Sequence, residues 1–132
     1  MSGLNFWMGS VDVYLEEYSG LISPAYKVYT IKKGFDISYI KHFVRSFEFN
    51  RVLVGSSILG ASIVRRNFDS VAFDNWKLKL PSLEEQQKIA AVLNTADREI
   101  ELLAEKLDYL KTEKRALMQQ LLTGKRRVKV DG

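Results

Sequence analysis

Two arginines and an asparagine stand side by side in this chain, Arg65, Arg66 and Asn67, after a stretch rich in glycine and serine. Arginine can donate two hydrogen bonds to guanine, and asparagine can pair with adenine in the same bidentate way in a major groove. These three residues are therefore the best candidates in the chain for contact with DNA bases, and Ser56 and Ser57 are candidates for contact with phosphates. The alternative is that both arginines simply solvate a turn.

Asn5 and Trp7 form a second candidate group, near the N-terminus. Both could belong to a recognition loop, with Trp7 stacking on a base, although an N-terminal aromatic residue more often serves packing. A short basic tail closes the chain, with Lys125, Arg126, Arg127 and Lys129. It either complements the dipole of a preceding helix or contacts phosphate.

Motifs for catalysis are incomplete. Residues 55–62 have the glycine spacing of a phosphate-binding loop, but Ala61 stands where that loop requires lysine. His42 is the single histidine, and the chain has no cysteine, so thiolate metal sites and disulfides are excluded. No Gly-x-Ser-x-Gly elbow presents a serine nucleophile. We predict no catalytic residue, no metal and no cofactor.

Charge and hydropathy bound the compartment and the ligand. The net charge is +4 with a pI near 9.3, which permits binding to a polyanion without requiring it. The longest uncharged stretch, residues 52–64, has thirteen residues, whereas a membrane-spanning helix needs about 20. We expect a cytoplasmic protein with no membrane contact.

The N-terminal part has mixed signals of strand and helix. Residues 8–14 and 21–31 are rich in β-branched and aromatic types, which predicts two strands around a turn. Asp36 can cap a helix over residues 37–49, while residues 51–64 fit either a short helix or an irregular segment. Residues 71–73 and 76–80 resemble final strands. The predicted fold class is α+β, a small mixed domain followed by one long helix.

The long helix has readable ends and a heptad pattern. Ser82 followed by Glu85 forms a capping box, and Gly124 stands where a left-handed residue ends a helix. Apolar residues recur at alternating steps of four and three, as in a coiled-coil seam. The seam comprises Ile89, Leu93, Ala96, Ile100, Leu103, Leu107, Leu110, Lys114, Leu117 and Leu121.

Such a seam needs a partner helix, because a solitary helix cannot hide its apolar stripe. We predict that two copies of the chain associate through it. The expected interface residues are Leu93, Ile100, Leu103, Leu107, Leu110, Leu117 and Leu121. Lys114 interrupts the seam, and a polar residue at such a position commonly restricts register.

Composition changes sharply at Pro81. Of the fifteen aromatic residues, all but Tyr109 precede it. We therefore predict a globular part over residues 1–80, a coiled-coil helix over 81–124 and a basic tail over 125–132.

Residues 81–89, continuing to Leu93, Asp97 and Ile100, and then residues 117–126 closely resemble the conserved helical region of the DNA-specificity subunit of type I restriction-modification systems. More weakly, residues 20–26 and 8–10 look like parts of that family's target recognition domain. The helical match covers about fifty residues with both ends in register, and the specificity of the resemblance rests mainly on it.

This resemblance implies that the globular part reads half of a split DNA sequence while the helix is ruler and scaffold. Full-length members carry two recognition domains and two helical regions in antiparallel packing, whereas this sequence has one of each, so we expect a half subunit with part of one recognition domain. The resemblance implies an antiparallel homodimer bound to double-stranded DNA and to methyltransferase and restriction subunits. The alternative is a truncated interaction module that dimerises or binds those subunits without reading DNA. A third alternative, an unrelated coiled-coil adaptor, disagrees with the match at both ends of the helix.

Overall fold

Three short helices, a two-stranded ribbon and a 40-residue helix occur in the part of the chain that the structure describes. The computed structural model describes residues 8–16, 18–24, 26–62 and 65–129. The elements in chain order are α1 (Ile37–Phe43), α2 (Phe47–Gly55), β1 (Ser57–Ser62), β2 (Arg65–Phe68), α3 (Ser70–Asp74) and α4 (Leu83–Leu122). This arrangement confirms the α+β class.

Two helices stand where one was predicted over residues 37–49. Asp36 caps α1, accepting a hydrogen bond from the Tyr39 amide at 2.8 Å. A second cap, Ser46, accepts from the Phe49 amide at 3.2 Å and starts α2. Because a serine hydroxyl satisfies the free amides of a new helix, the chain turns between α1 and α2 instead of continuing. The single helix of the sequence analysis was therefore wrong, although its start at Asp36 was right.

Residues 51–64 were predicted to form either a short helix or an irregular segment. In the structure they contain the end of α2 and then the strand β1, which neither alternative included. β1 pairs with β2 in an antiparallel ribbon, in which Ser57 lies opposite Phe68, Ile58 opposite Asn67 and Leu59 opposite Arg66. The register then shifts, so that Ser62 lies opposite Arg65. This ribbon is the sheet of the described part of the chain.

The other predicted strands are not strands in the structure. Among the described residues of 8–14 and 21–31 there is only an isolated bridge at Tyr26, and most side chains there are exposed. Residues 71–73 lie in α3, because Asp69 accepts from the Ala72 amide at 3.0 Å and caps a helix. Residues 76–80 form no ladder. β-Branched composition favours a strand only where a neighbouring strand is available to pair.

A small core lies between α2, α3 and the ribbon. Val44, Val52 and Leu53 are buried, and the Phe73 ring packs against Tyr29, Phe49 and Phe68 at centroid separations of 5.3 to 6.4 Å. Tyr39 and Phe43 extend the cluster by stacking on each other. Aromatic contacts therefore supply much of the core of this globular part.

Both ends of α4 follow the sequence prediction. The Ser82 hydroxyl accepts from the Glu85 amide at 3.3 Å. At the other end Gly124 has a φ of +72°, and the Arg126 amide donates to the Gln120 carbonyl at 2.9 Å. A glycine in the left-handed region turns the chain back so that the last carbonyls of the helix find donors.

Contacts divide the chain into two compact units, Met1–Leu93 and Asn94–Gly132. The first turns of α4 thus belong to the first unit, where Gln86 and Ala90 are buried. The division into residues 1–80, 81–124 and 125–132 rests on composition and stays a prediction.

Candidate nucleic-acid interface

The β1–β2 ribbon carries the three residues that the sequence predicted to contact bases. Arg65 and Arg66 lie in β2, and Asn67 follows them in the same strand. The Asn67 side chain is exposed, and Ile58, directly opposite in β1, is 53% exposed. The structure therefore brings the predicted group together on one short strand, while its contact with bases stays a prediction.

The two predicted phosphate contacts differ in exposure. Ser56 is fully buried at the end of α2, and its carbonyl accepts from the Asp69 amide at 2.9 Å. Its hydroxyl is the one buried side-chain group without a hydrogen-bond partner in the part of the chain that the structure describes. A phosphate could reach Ser56 only after a rearrangement.

Ser57 is half-buried, and its hydroxyl donates to the Val54 carbonyl at 2.5 Å. It therefore keeps part of its surface open to solvent, and its phosphate contact remains a prediction. The other two candidates, Asn5 and Trp7, lie outside the described residues.

Charge distinguishes the ribbon from the helices beside it. Arg45 forms an ion pair with Asp12 at 2.7 Å, and Arg51 pairs with Glu48 at 3.2 Å. These carboxylates offset both arginines of the helical region. By contrast, the segment from Ser57 to Phe68 contains two arginines and no acidic residue. The ribbon therefore concentrates positive charge on one element.

The Asp12–Arg45 pair also shifts a pKa. Burial disfavours the charged carboxylate, but hydrogen bonds from Arg45 and the Val13 amide, with the positive charges of Arg45 and Lys41, outweigh it and lower the pKa of Asp12. The pair joins the segment around Asp12 to the turn between α1 and α2, where Arg45 lies.

Two tyrosines hold their protons more tightly than usual. Burial, together with the negative charge of Glu85, raises the pKa of Tyr39, and burial with Asp74 raises that of Tyr29. Both belong to the aromatic core rather than to a cleft. No group of three or more potential metal ligands occurs among the described residues.

The apolar stripe of α4 is exposed from Leu93 to Leu121. The seven predicted interface residues, six leucines and one isoleucine, range from 38% exposed at Leu93 and Leu117 to 64% exposed at Ile100. Near the C-terminal end an open apolar depression is lined by Leu110, Lys114, Leu117 and Leu121, among others. Within the described residues, no helix is both long and apolar enough to cross a membrane.

Sequence reasoning missed two residues that matter here. Ile58 lay in the ambiguous segment, and only the strand register sets it beside Asn67. Gln86 belongs to the motif of residues 81–89, and no role was predicted for it. It is buried, and its side-chain amide hydrogen-bonds to the backbone of two separate segments. The signal that could have found Gln86 is its place in the first turns of α4, on the side of Ala90 four residues later.

Comparison with known proteins gives a consistent result. The family model described as "Type I restriction modification DNA specificity domain" matches residues 11–112. A protein of Methanocaldococcus jannaschii, named as a candidate specificity subunit of the type I restriction enzyme MjaX, is 31% identical over 111 residues, which are 84% of this chain and 23% of that protein.

The MjaVIII specificity subunit of a type I restriction enzyme, from the same organism, is 29% identical over 122 residues, covering 91% of this chain and 28% of that protein. The chain thus spans about a quarter of the length of these curated relatives. No solved structure matches it.

Proposed function

This chain belongs to the family of type I restriction-modification DNA specificity domains, and on that premise we propose that it is a half subunit that reads one half of a split DNA site. The β1–β2 ribbon is the reading element, and α4 associates with the α4 of a second copy. Two recognition domains held by one rod would contact two half-sites at a set spacing, as dimeric DNA-binding proteins do.

The observation that carries the proposal is the uncovered stripe of α4. A 40-residue helix is about 60 Å long at ~1.5 Å per residue, and its seven predicted interface side chains, from Leu93 to Leu121, are each more than one-third exposed. Burying apolar area contributes about 25 cal/mol per Å², so a second helix on this stripe is strongly favoured. The heptad spacing selects a helix as the occupant.

The seam itself favours an antiparallel pair, because its positions are symmetric about residue 105. Antiparallel pairing centred there sets Ile89 against Leu121, Leu93 against Leu117, Ala96 against Lys114, Ile100 against Leu110, and Leu103 against Leu107. The small Ala96 leaves room for the aliphatic stem of Lys114, whose ammonium group then lies beside Asp97 of the second copy.

A parallel pair in register would be poorer. It would bring two Lys114 side chains together and leave two alanines facing each other at position 96. Like charges in contact are destabilising, and facing small residues underfill the interface. The antiparallel order also agrees with the resemblance of α4 to the family's helical region.

Within this function the chain has no catalytic role of its own. We propose double-stranded DNA and the methyltransferase and restriction subunits of the same system as partners, in the cytoplasm. The alternative, an interaction module that associates without reading DNA, shares α4 with this proposal and differs only in what the ribbon does.

The mass of the protein in solution tests whether two copies associate through α4. Light scattering should give twice the mass of one chain for the unmodified protein, and one chain for Leu103→Lys and Leu107→Lys. Leu102→Lys is the matched control, since Leu102 is 57% exposed but lies off the seam. A single-chain mass for the unmodified protein, or equal loss with Leu102→Lys, would contradict the seam as the interface. A pull-down with the methyltransferase subunit then tests the scaffold.

The salt dependence of DNA binding tests whether the β1–β2 ribbon contacts DNA. Binding to random duplex should weaken as salt rises, because phosphate contacts release counterions. Arg65→Ala and Arg66→Ala should each weaken binding by about 1–3 kcal/mol and relax the sequence preference if the arginine contacts a base, whereas loss of a phosphate contact would lower the salt slope by about one. Arg51→Ala is the control, because that arginine is paired with Glu48. A protein that dimerises but binds no duplex would support the alternative.

A further inference from the structure

Ile58 and Asn67 form a single outward-facing pair on the ribbon. They lie directly opposite each other in the antiparallel register. Opposite residues of such a pair share one face, with Cβ atoms about 4.5–5.5 Å apart. A branched apolar side chain and a side-chain amide are therefore adjacent at the surface.

The neighbouring pair fixes which face this is. Successive residues of a strand point to opposite faces, and Phe68, next to Asn67, packs its ring on Phe73 at a centroid distance of 5.3 Å. Phe68 thus anchors the inner face to the core. The exposure of Ile58 and of Asn67 agrees with an outer face that the described residues leave open at these two positions.

The amide and the alkyl group together match one base pair better than the others. An asparagine amide can accept from adenine N6–H and donate to adenine N7, and an apolar side chain can contact the C5-methyl of thymine. Guanine offers two acceptors at these positions, so the amide oxygen would face an oxygen, and cytosine has no methyl group.

From this juxtaposition we infer that the Ile58–Asn67 pair reads an A·T base pair in the major groove, with Asn67 on adenine and Ile58 on the thymine methyl of the same or the adjoining step. The inference rests on the proposed function and names the base preference of that site. A major groove admits a two-stranded ribbon. The strand that carries Asn67 also contains the positively charged residues Arg65 and Arg66.

Selection from a random duplex library tests the inference. The full chain should enrich sites that share an A·T pair, and Asn67→Ala should lose that preference by about tenfold, in line with the range for one bidentate contact. The matched control is Gln87→Ala, because Gln87 also has an exposed side-chain amide but lies on α4. This variant should keep the preference for an A·T pair. Circular dichroism confirms that each variant is folded.

Base analogues separate the two contacts. In the selected site, 7-deazaadenine removes the N7 acceptor and should weaken binding to the unmodified protein but not to Asn67→Ala. Deoxyuridine in place of thymine removes the methyl group and should cost about fourfold, the worth of one buried carbon. That loss should vanish in Ile58→Ala and persist in Val71→Ala, whose parent side chain is also exposed, at 69%.

Three results would overturn the inference, and they are distinguishable. Salt-dependent binding with the same consensus from Asn67→Ala as from the unmodified protein would leave the DNA function standing and refute the A·T assignment. Equal affinity for all duplexes, with Ile58→Ala altering self-association, would reassign the face to protein contact. An unmodified protein that binds no duplex would refute the proposed function itself.

Discussion

The side-chain amide of Gln86 joins α4 to the start of α1, since its oxygen accepts from the Asp36 backbone amide at 3.0 Å. Its nitrogen donates to the Pro81 carbonyl at 2.8 Å. Gln86 is almost fully buried, with 2% of its surface exposed. One polar side chain thus satisfies backbone groups of two separate segments, and Asp36 is also the residue that caps α1.

Replacing this glutamine should destabilise the globular part. Gln86→Leu removes the partner of two part-buried backbone groups, the Asp36 amide and the Pro81 carbonyl. An unsatisfied buried group costs about 1–3 kcal/mol, and partial access to water sets the expected loss toward the lower end. We expect the free energy of unfolding in urea to fall by an amount in that range. The neighbouring Gln87→Leu is the control, because Gln87 is exposed. Equal effects of the two substitutions would show that the two hydrogen bonds contribute nothing.

Gly55 should not tolerate a side chain. A Cβ added there would lie 2.6 Å from Cζ2 of Trp76, well inside van der Waals contact. Overpacking of this kind costs roughly 1–3 kcal/mol, which exceeds the gain of up to ~1 kcal/mol in helix propensity. We expect Gly55→Ala to lower the free energy of unfolding in urea, with unfolding monitored by circular dichroism.

The control for this substitution is Gly20→Ala. Nothing lies within 4 Å of a Cβ built on Gly20, so Gly20→Ala should change the free energy of unfolding by no more than about 0.5 kcal/mol. Similar stability of the two variants would mean that the indole ring moves aside without cost.

Cysteine cross-linking should report the orientation of the two helices. The chain has no cysteine, so introduced thiols meet only each other. Mixing Ala96→Cys with Lys114→Cys under mild oxidation should give the mixed disulfide in an antiparallel pair. Disulfides between like variants, resolved by mass spectrometry, would indicate a parallel pair. Leu102→Cys, off the seam, serves as the control for random collision.

The pKa of Asp12 should depend on Arg45. Since its pKa in the folded chain lies below the usual ~3.9, the pair stabilises the fold above that value, and this contribution is lost as pH falls through the lowered pKa. Both side chains are more than half exposed, so the contribution should be only about 0.2–1 kcal/mol. Carboxyl NMR titration should show the pKa of Asp12 rising in Arg45→Ala.

Arg51→Ala is the control for this titration, because Arg51 pairs with Glu48 rather than with Asp12. An Asp12 pKa that is unchanged in Arg45→Ala would mean that the hydrogen bond from the Val13 amide and the charge of Lys41 lower it without Arg45.

The sequence alone was sufficient to predict the long helix α4, because its local signals agree. The start of α4 at a serine cap, its continuous course and its closure at Gly124 all depend on residues within a few positions of one another, and each was confirmed. The pairing of its heptads with a second helix stays a prediction. Helical hydrogen bonds join residues four apart, so a long regular pattern of this kind needs little help from distant parts of the chain.

Only the tertiary structure decided the globular part. Residues 71–73 have strand-like composition but fold as α3 under the Asp69 cap, and residues 8–14 have no strand to pair with in the described chain. Arg65, Arg66 and Asn67 were read from their chemistry alone, whereas the place of Ile58 beside Asn67 follows from strand register. Pairing between strands joins residues distant in sequence, and a shift of one position moves every side chain to the opposite face, so no local pattern could have set it.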